Sequence, residues 1–115
     1  MTKEEIYNII DQGINQKQTL ILSVRHGLGS VINNTKFDPY IVGDDTYQFQ
    51  FAWGYLPEQN LFYKFDLDNI ESAKLGNEKF EISEEACYQY AIEEEHFAEV
   101  EGFKNIFMKA AITTS

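Results

Sequence analysis

Between Thr46 and Tyr55 an aromatic residue occupies every second position: Tyr47, Phe49, Phe51, Trp53 and Tyr55, with Gln48, Gln50, Ala52 and Gly54 in the gaps. A period of two is the signature of an extended strand, because successive side chains point to opposite faces of a sheet. Five large rings on one face need a deep layer to pack against, so this strand is expected near the centre of a sheet. The simplest expectation is that the rings point into the interior of a small barrel, with Trp53 and Tyr55, near the strand end, as the more exposed members.

The flanking sequence supplies the rest of that sheet. Leu20, Leu22 and Val24 alternate with Ile21, Ser23 and Arg25 in a strand over 19–25, and Gly27-Leu28-Gly29-Ser30 reads as the hairpin turn after it. Such a Gly-x-Gly would hold phosphate only ahead of a helix, and Val31-Ile32-Asn33 is no helix start. Phe37 to Val42 forms a second strand in which Pro39 demands an edge or a bulge, and Gly43-Asp44-Asp45 reverses the chain. Leu56-Pro57-Glu58-Gln59-Asn60 is a turn, followed by a return strand over 61–67. Ile70 to Leu75 is a fifth strand, Gly76-Asn77 a turn, and Phe80 and Ile82 a short sixth.

Helices are expected on both sides of the sheet. Thr2 and Glu5 have capping-box spacing, and Ile6, Ile9, Ile10, Gly13 and Ile14 make one apolar stripe with a close-approach point at Gly13. Ser83 followed by Glu84 and Glu85 suits a helix start, predicting a helix over 84–98; Phe103, Ile106, Phe107, Ala110 and Ala111 suggest another. The fold class is therefore α+β: an N-terminal helix, a five- or six-stranded antiparallel barrel or strongly bent sheet, and C-terminal helices. Residues 1–115 read as a single domain, with helix and sheet over 1–82 and a helical extension over 83–115.

Charge narrows the function classes. Nineteen acids against nine bases give a formal net charge of −10, and Arg25 is the sole arginine, so direct nucleic-acid binding is not expected. The single Cys87 excludes an internal disulfide and a multi-cysteine zinc site. It falls on the apolar side of the 84–98 helix beside acids, the wrong field for a reactive thiolate. His96 stands near Glu93, Glu94, Glu95 and Glu99, but no second histidine is close in sequence, so a solvated acidic face is the simpler reading. His26, beside the glycine turn, reads as a surface residue. No metal, no cofactor and no catalytic residue is expected, hence no enzyme. The longest apolar run is Leu20-Ile21-Leu22 and the start Met1-Thr2-Lys3-Glu4-Glu5 lacks a signal-peptide pattern. The expectation is a cytoplasmic protein without membrane contact; the sequon Asn33-Asn34-Thr35 is then fortuitous.

The run Phe65-Asp66-Leu67-Asp68-Asn69-Ile70 resembles the F-x-L-D-R-I segment of WYL domains, and Asp38-Pro39-Tyr40 resembles that family's E/D-P-Y element. Tyr47–Trp53 then stands where the W-Y-L strand belongs, and the likeness extends over residues 4 to 82. The resemblance implies a divergent, stand-alone Sm-like or SH3-like barrel without the helix-turn-helix that often accompanies it, acting as a ligand-sensing or regulatory accessory module. Where the family has Trp-Tyr-Leu this chain has Gln48-Phe49-Gln50, and two family arginines are replaced by Tyr63 and Asn69. The family's anionic ligands therefore do not carry over. A pocket lined by Arg25, Gln48, Gln50, Tyr63 and Asn69 is expected, neutral and amide-rich, taking a small-molecule or nucleotide-like ligand. The alternative is a protein–protein interaction module, either a homodimer or an acidic surface over 81–101 that meets a basic partner or mimics nucleic acid.

Overall fold

The computed structural model describes residues 1–26, 29–44 and 49–83. Helix α1 (Lys3–Gln16) leads into β1 (Gln18–His26), β2 (Ser30–Asp44), β3 (Gln50–Leu56) and β4 (Leu61–Asp66); one 3-10 turn (Leu67–Asn69) then delivers β5 (Ile70–Lys79). The strands pair antiparallel in the order β4-β3-β2-β1-β5. The sheet is not closed: β4 and β5 end it on either side, so the expected barrel is an open sheet. The expected C-terminal helices, with Cys87, Glu93–Glu95, His96 and Glu99, lie outside the described residues.

Local chemistry explains the helix. Thr2 Oγ1 accepts from the Glu5 amide at 3.1 Å while Glu5 Oε1 accepts from the Thr2 amide at 2.8 Å, satisfying two donors that the first turn leaves unpaired. Lys17 ends the helix in the left-handed conformation, its amide bonding back to the Gly13 and Ile14 carbonyls. Ile6 and Ile10 are buried, and Gly13 lets the helix settle on the sheet. A Cβ there would stand 2.8 Å from Leu20 Cδ2 and 3.1 Å from Pro39 Cγ.

Strand β2 spans both parts of the sheet. Its residues up to Phe37 pair with β1, and from Asp38 onward it pairs with β3. The register slips between Pro39 and Ile41, leaving Tyr40 as the extra residue of a bulge. The Pro39 nitrogen, which cannot donate, thus falls where the ladder is interrupted, even though the strand is central. This strand is far longer than the 37–42 expected from hydrophobicity. Residues 30–34 are all exposed, so ladder bonds rather than burial hold that end, and polarity alone could not reveal it. The strand also runs through Gly43, where a reversal was expected.

Two further expectations fail. Gly76-Asn77 is no turn: β5 continues to Lys79 with irregular pairing, from Leu20↔Leu75 to Gln18↔Lys79, and the Gln18 side-chain amide donates to the Gly76 carbonyl. Phe80 and Ile82 accordingly form no sixth strand; the segment after β5 crosses the sheet instead.

That crossing corrects the aromatic stripe as well. Phe51 and Trp53 are fully buried, but they face away from α1 and pack with Tyr40, Ile41, Tyr55, Phe62, Phe80 and Ile82. Phe80 stacks on Tyr40 (centroids 5.3 Å), its amide donates to the Lys17 carbonyl at 2.9 Å, and Tyr40 Oη donates to the Glu81 carbonyl at 3.3 Å. The opposite face of β3, Ala52 and Leu56, joins Ile6, Ile10, Leu20, Leu22, Phe37, Leu67 and Ile70 under the helix. Both faces of the central strand are therefore covered. Trp53, expected near the rim, has no exposure, whereas Phe49 is 59% exposed; Tyr47 lies outside the described residues.

The Asp38-Pro39-Tyr40 element has a structural job at each position. Pro39 makes the bulge, Tyr40 packs the outer aromatic layer, and Asp38 is buried with Thr19, whose Oγ1 donates to Asp38 Oδ1 at 2.6 Å. Burial pushes the Asp38 carboxyl above its ordinary range, and the charge of Glu78 adds to this; the Thr19 hydrogen bond opposes it. The folded chain thus holds this proton more tightly than the unfolded one. Between the unfolded and folded pKa values, stability from this group falls as pH rises, and the cost is complete above the folded value. Thr19→Val, which strips the buried carboxylate of its donor, is expected to cost about 1–3 kcal/mol at neutral pH and less on acidification. Urea midpoints at several pH values test this; a penalty constant with pH would contradict it.

Candidate ligand cavity

Alternation along β4 sorts its side chains. Phe62 joins the outer aromatic layer, stacked on Trp53 at 5.1 Å, and the Lys64 ammonium lies over the Phe51 ring, 5.1 Å from its centroid. Tyr63 and Phe65 take the other face, their rings 4.7 Å apart and tilted by 55°. Phe65 is fixed from behind by an edge-on contact with Phe37 at 5.3 Å. Tyr63, on an edge strand with no further neighbour, stays 46% exposed.

After β4 the chain must cross from one edge of the sheet to the other, and the 3-10 turn makes that crossing. Leu67 and Ile70 are buried and anchor both ends of the turn, leaving Asp68 and Asn69 outside; Asp68 pairs with Lys3 of α1 at 2.6 Å. This is the physical content of the Phe65–Ile70 pattern: three apolar anchors at 65, 67 and 70 hold a tight turn whose polar residues face solvent.

Arg25 arrives from the end of β1, where Val24 pairs with Ile70. Its Nε donates to Glu71 Oε1 at 2.9 Å, and its Nη2 reaches the same oxygen. A cavity of about 270 Å³ opens here, where the sheet fails to close, bounded by Val24, Arg25, Asn69 and the β4 stretch Tyr63–Asp66.

Of the five residues singled out from sequence, Arg25, Tyr63 and Asn69 border this one cavity. Gln50 does not; it begins β3 opposite Asp44, half-buried. Gln48 lies outside the described residues. The lining differs from the amide-rich surface expected: Asn69 is its single amide, beside the rings of Tyr63 and Phe65, the ion-paired Arg25 and the charged residues Lys64 and Asp66. Val24, Lys64, Phe65 and Asp66 of the lining, and Glu71 as the partner of Arg25, escaped sequence reasoning. Phe65 could have been found from its alternation with Tyr63, but Glu71 required the β1–β5 register. Among the described residues no three metal-ligating side chains cluster, and no helix is long and apolar enough to cross a membrane.

No family model matches the chain, and no curated protein does. Among solved structures, the proteasome accessory factor B/C (PafBC) of Arthrobacter aurescens is similar, with a TM-score of 0.62 and 17% sequence identity over 67% of this chain. The fold is shared. The match spans 12% of that protein's length, so this chain corresponds to one small part of a much larger molecule.

Proposed function

We propose that this chain is a non-catalytic accessory module of WYL type that recognises a small planar ligand in the cavity between β4, the 3-10 turn and the end of β1. The observation that carries this reading is that Arg25, from β1, meets Tyr63 and Asn69, which flank the end of β4, on one concave site. An exposed tyrosine face beside a second ring offers stacking, which is tolerant of ring identity. The Asn69 amide offers both a donor and an acceptor for the edge of a heterocycle. Likeness of fold to a segment of a proteasome accessory factor, together with the Phe65–Ile70 and Asp38–Tyr40 patterns, supports the WYL assignment.

A thermal-shift panel of nucleosides, nucleotides and other planar metabolites tests the proposal. A ligand at a hundred times its Kd contributes about 2.7 kcal/mol, enough to raise Tm by several degrees. Tyr63→Ala, a change at an exposed position, is expected to leave the fold intact and abolish the shift. A panel that moves nothing at millimolar concentration would sink the reading.

The open edge favours a second one. β4 ends the sheet, and Leu61 and Tyr63 expose apolar surface along it at 44% and 46%. Such an edge suits a protein partner or a second copy of the chain. Light scattering separates the cases, because a strictly monomeric particle removes the homodimer.

A further inference from the structure

We propose that Glu71 sets which ligands the cavity admits: by holding Arg25 in an ion pair, it turns the site toward uncharged ring compounds of nucleoside size and away from their phosphorylated forms. This rests on the reading that the cavity binds a planar ligand, and extends it to ligand class.

Two cationic residues border the cavity, and each is already engaged, Arg25 by the Glu71 carboxylate and Lys64 by a ring. Arg25 is the only guanidinium in the chain and so the only group able to grip a phosphate with a planar fork. Both nitrogens of that fork that make contacts are spent on one oxygen, Glu71 Oε1. The Lys64 ammonium sits over the Phe51 ring, which belongs to the aromatic layer on the other face of the sheet. A phosphate drawn to Arg25 would have to displace the Glu71 carboxylate or lie beside it, and Asp66 in the lining and the chain's net charge of −10 add to that repulsion. An uncharged ligand meets no such opposition, since it needs only the rings and the amide.

The pair is placed so that this control is adjustable. The Arg25 and Glu71 side chains are 49% and 39% exposed, so the bridge contributes little to stability and either partner can be changed without loss of fold. Two unit charges about 4 Å apart in water differ by enough to change affinity about fivefold. That is the effect expected on a phosphate when Glu71 is neutralised.

Calorimetric titration of the full chain with adenosine and with adenosine 5′-monophosphate at low salt tests this. The wild type is expected to prefer adenosine. Glu71→Gln should raise affinity for the monophosphate about fivefold while leaving adenosine unchanged, and high salt should shrink the gain. In the double variant Arg25→Gln, Glu71→Gln the gain should vanish. A wild type that prefers the monophosphate, a Glu71→Gln variant with no selective gain, or a gain that survives without Arg25 would each overturn the inference while leaving the cavity reading in place. Binding of neither compound by any variant that keeps its wild-type unfolding transition overturns both.

Discussion

Gly54→Ala is expected to cost at least about 3 kcal/mol, a large share of the stability of a domain this size. Gly54 lies mid-strand in β3, opposite Pro39 on one side and Tyr63 on the other. The β2 bulge drives the Asp38 carbonyl toward it. A Cβ at position 54 would stand 2.1 Å from that oxygen and 3.0 Å from Phe37 Cε1. Neither obstacle can step aside: one is backbone, and the other is a fully buried ring that supports Phe65. The β2–β3 pairing would have to separate at its bulge, releasing Tyr40 from the outer layer and Asp38 from Thr19 together. Urea unfolding followed by circular dichroism reads the loss. Gly29→Ala is the comparison: Gly29 has a positive φ of 106° but open space around a Cβ, so about 1 kcal/mol is expected there. A Gly54→Ala variant as stable as Gly29→Ala would show that the close approach is absent in solution.

Trp53→Ala is expected to cost about 3–5 kcal/mol, the usual loss for truncating a fully buried aromatic. Trp53 is the largest side chain with no exposure, stacked on Phe62 with planes 14° apart and edge-on to Tyr40 at 6.0 Å. The effect has a signature beyond its size, because the molecule has two separate layers of packing. Trp53 belongs to the outer layer and Ile10 to the layer under the helix. Trp53→Ala combined with Ile10→Ala should therefore be additive within about 0.5 kcal/mol, while Trp53→Ala with Phe62→Ala should couple by about 0.5–1.5 kcal/mol. Strong coupling to Ile10 and none to Phe62 would mean that the stripe faces inward after all.

The sequence alone was enough for much of this. Thr2 and Glu5 specify the helix start because their bonds span three residues, and Pro39 announces an edge or a bulge because its nitrogen cannot donate; the β2–β3 register makes it a bulge. Period-two alternation identifies the strands around Leu22, Trp53 and Phe65. Three of the five residues named from sequence border one cavity, and for Tyr63 and Asn69 the reason is local, since the family-like pattern fixes both relative to Phe65. Residues 30–34 of β2 were not legible: their two apolar residues, Val31 and Ile32, are adjacent and both exposed, so they show no period-two alternation, and ladder bonds hold the segment.

What only the tertiary structure decided are questions of side and pairing. Alternation divides a strand into two faces but does not say which of them meets the helix, so from sequence the Phe51–Trp53 stripe reads as inward, although Phe80 and Ile82 cover it from outside. Closure likewise depends on where the two edges finish in space, and here a 3-10 turn spans a gap that hydrogen bonds do not. The partner of Arg25 is 46 residues away in the chain. Its identity follows from the register of β1 against β5, a long-range choice made by the packing of the whole sheet and by no local preference of either residue.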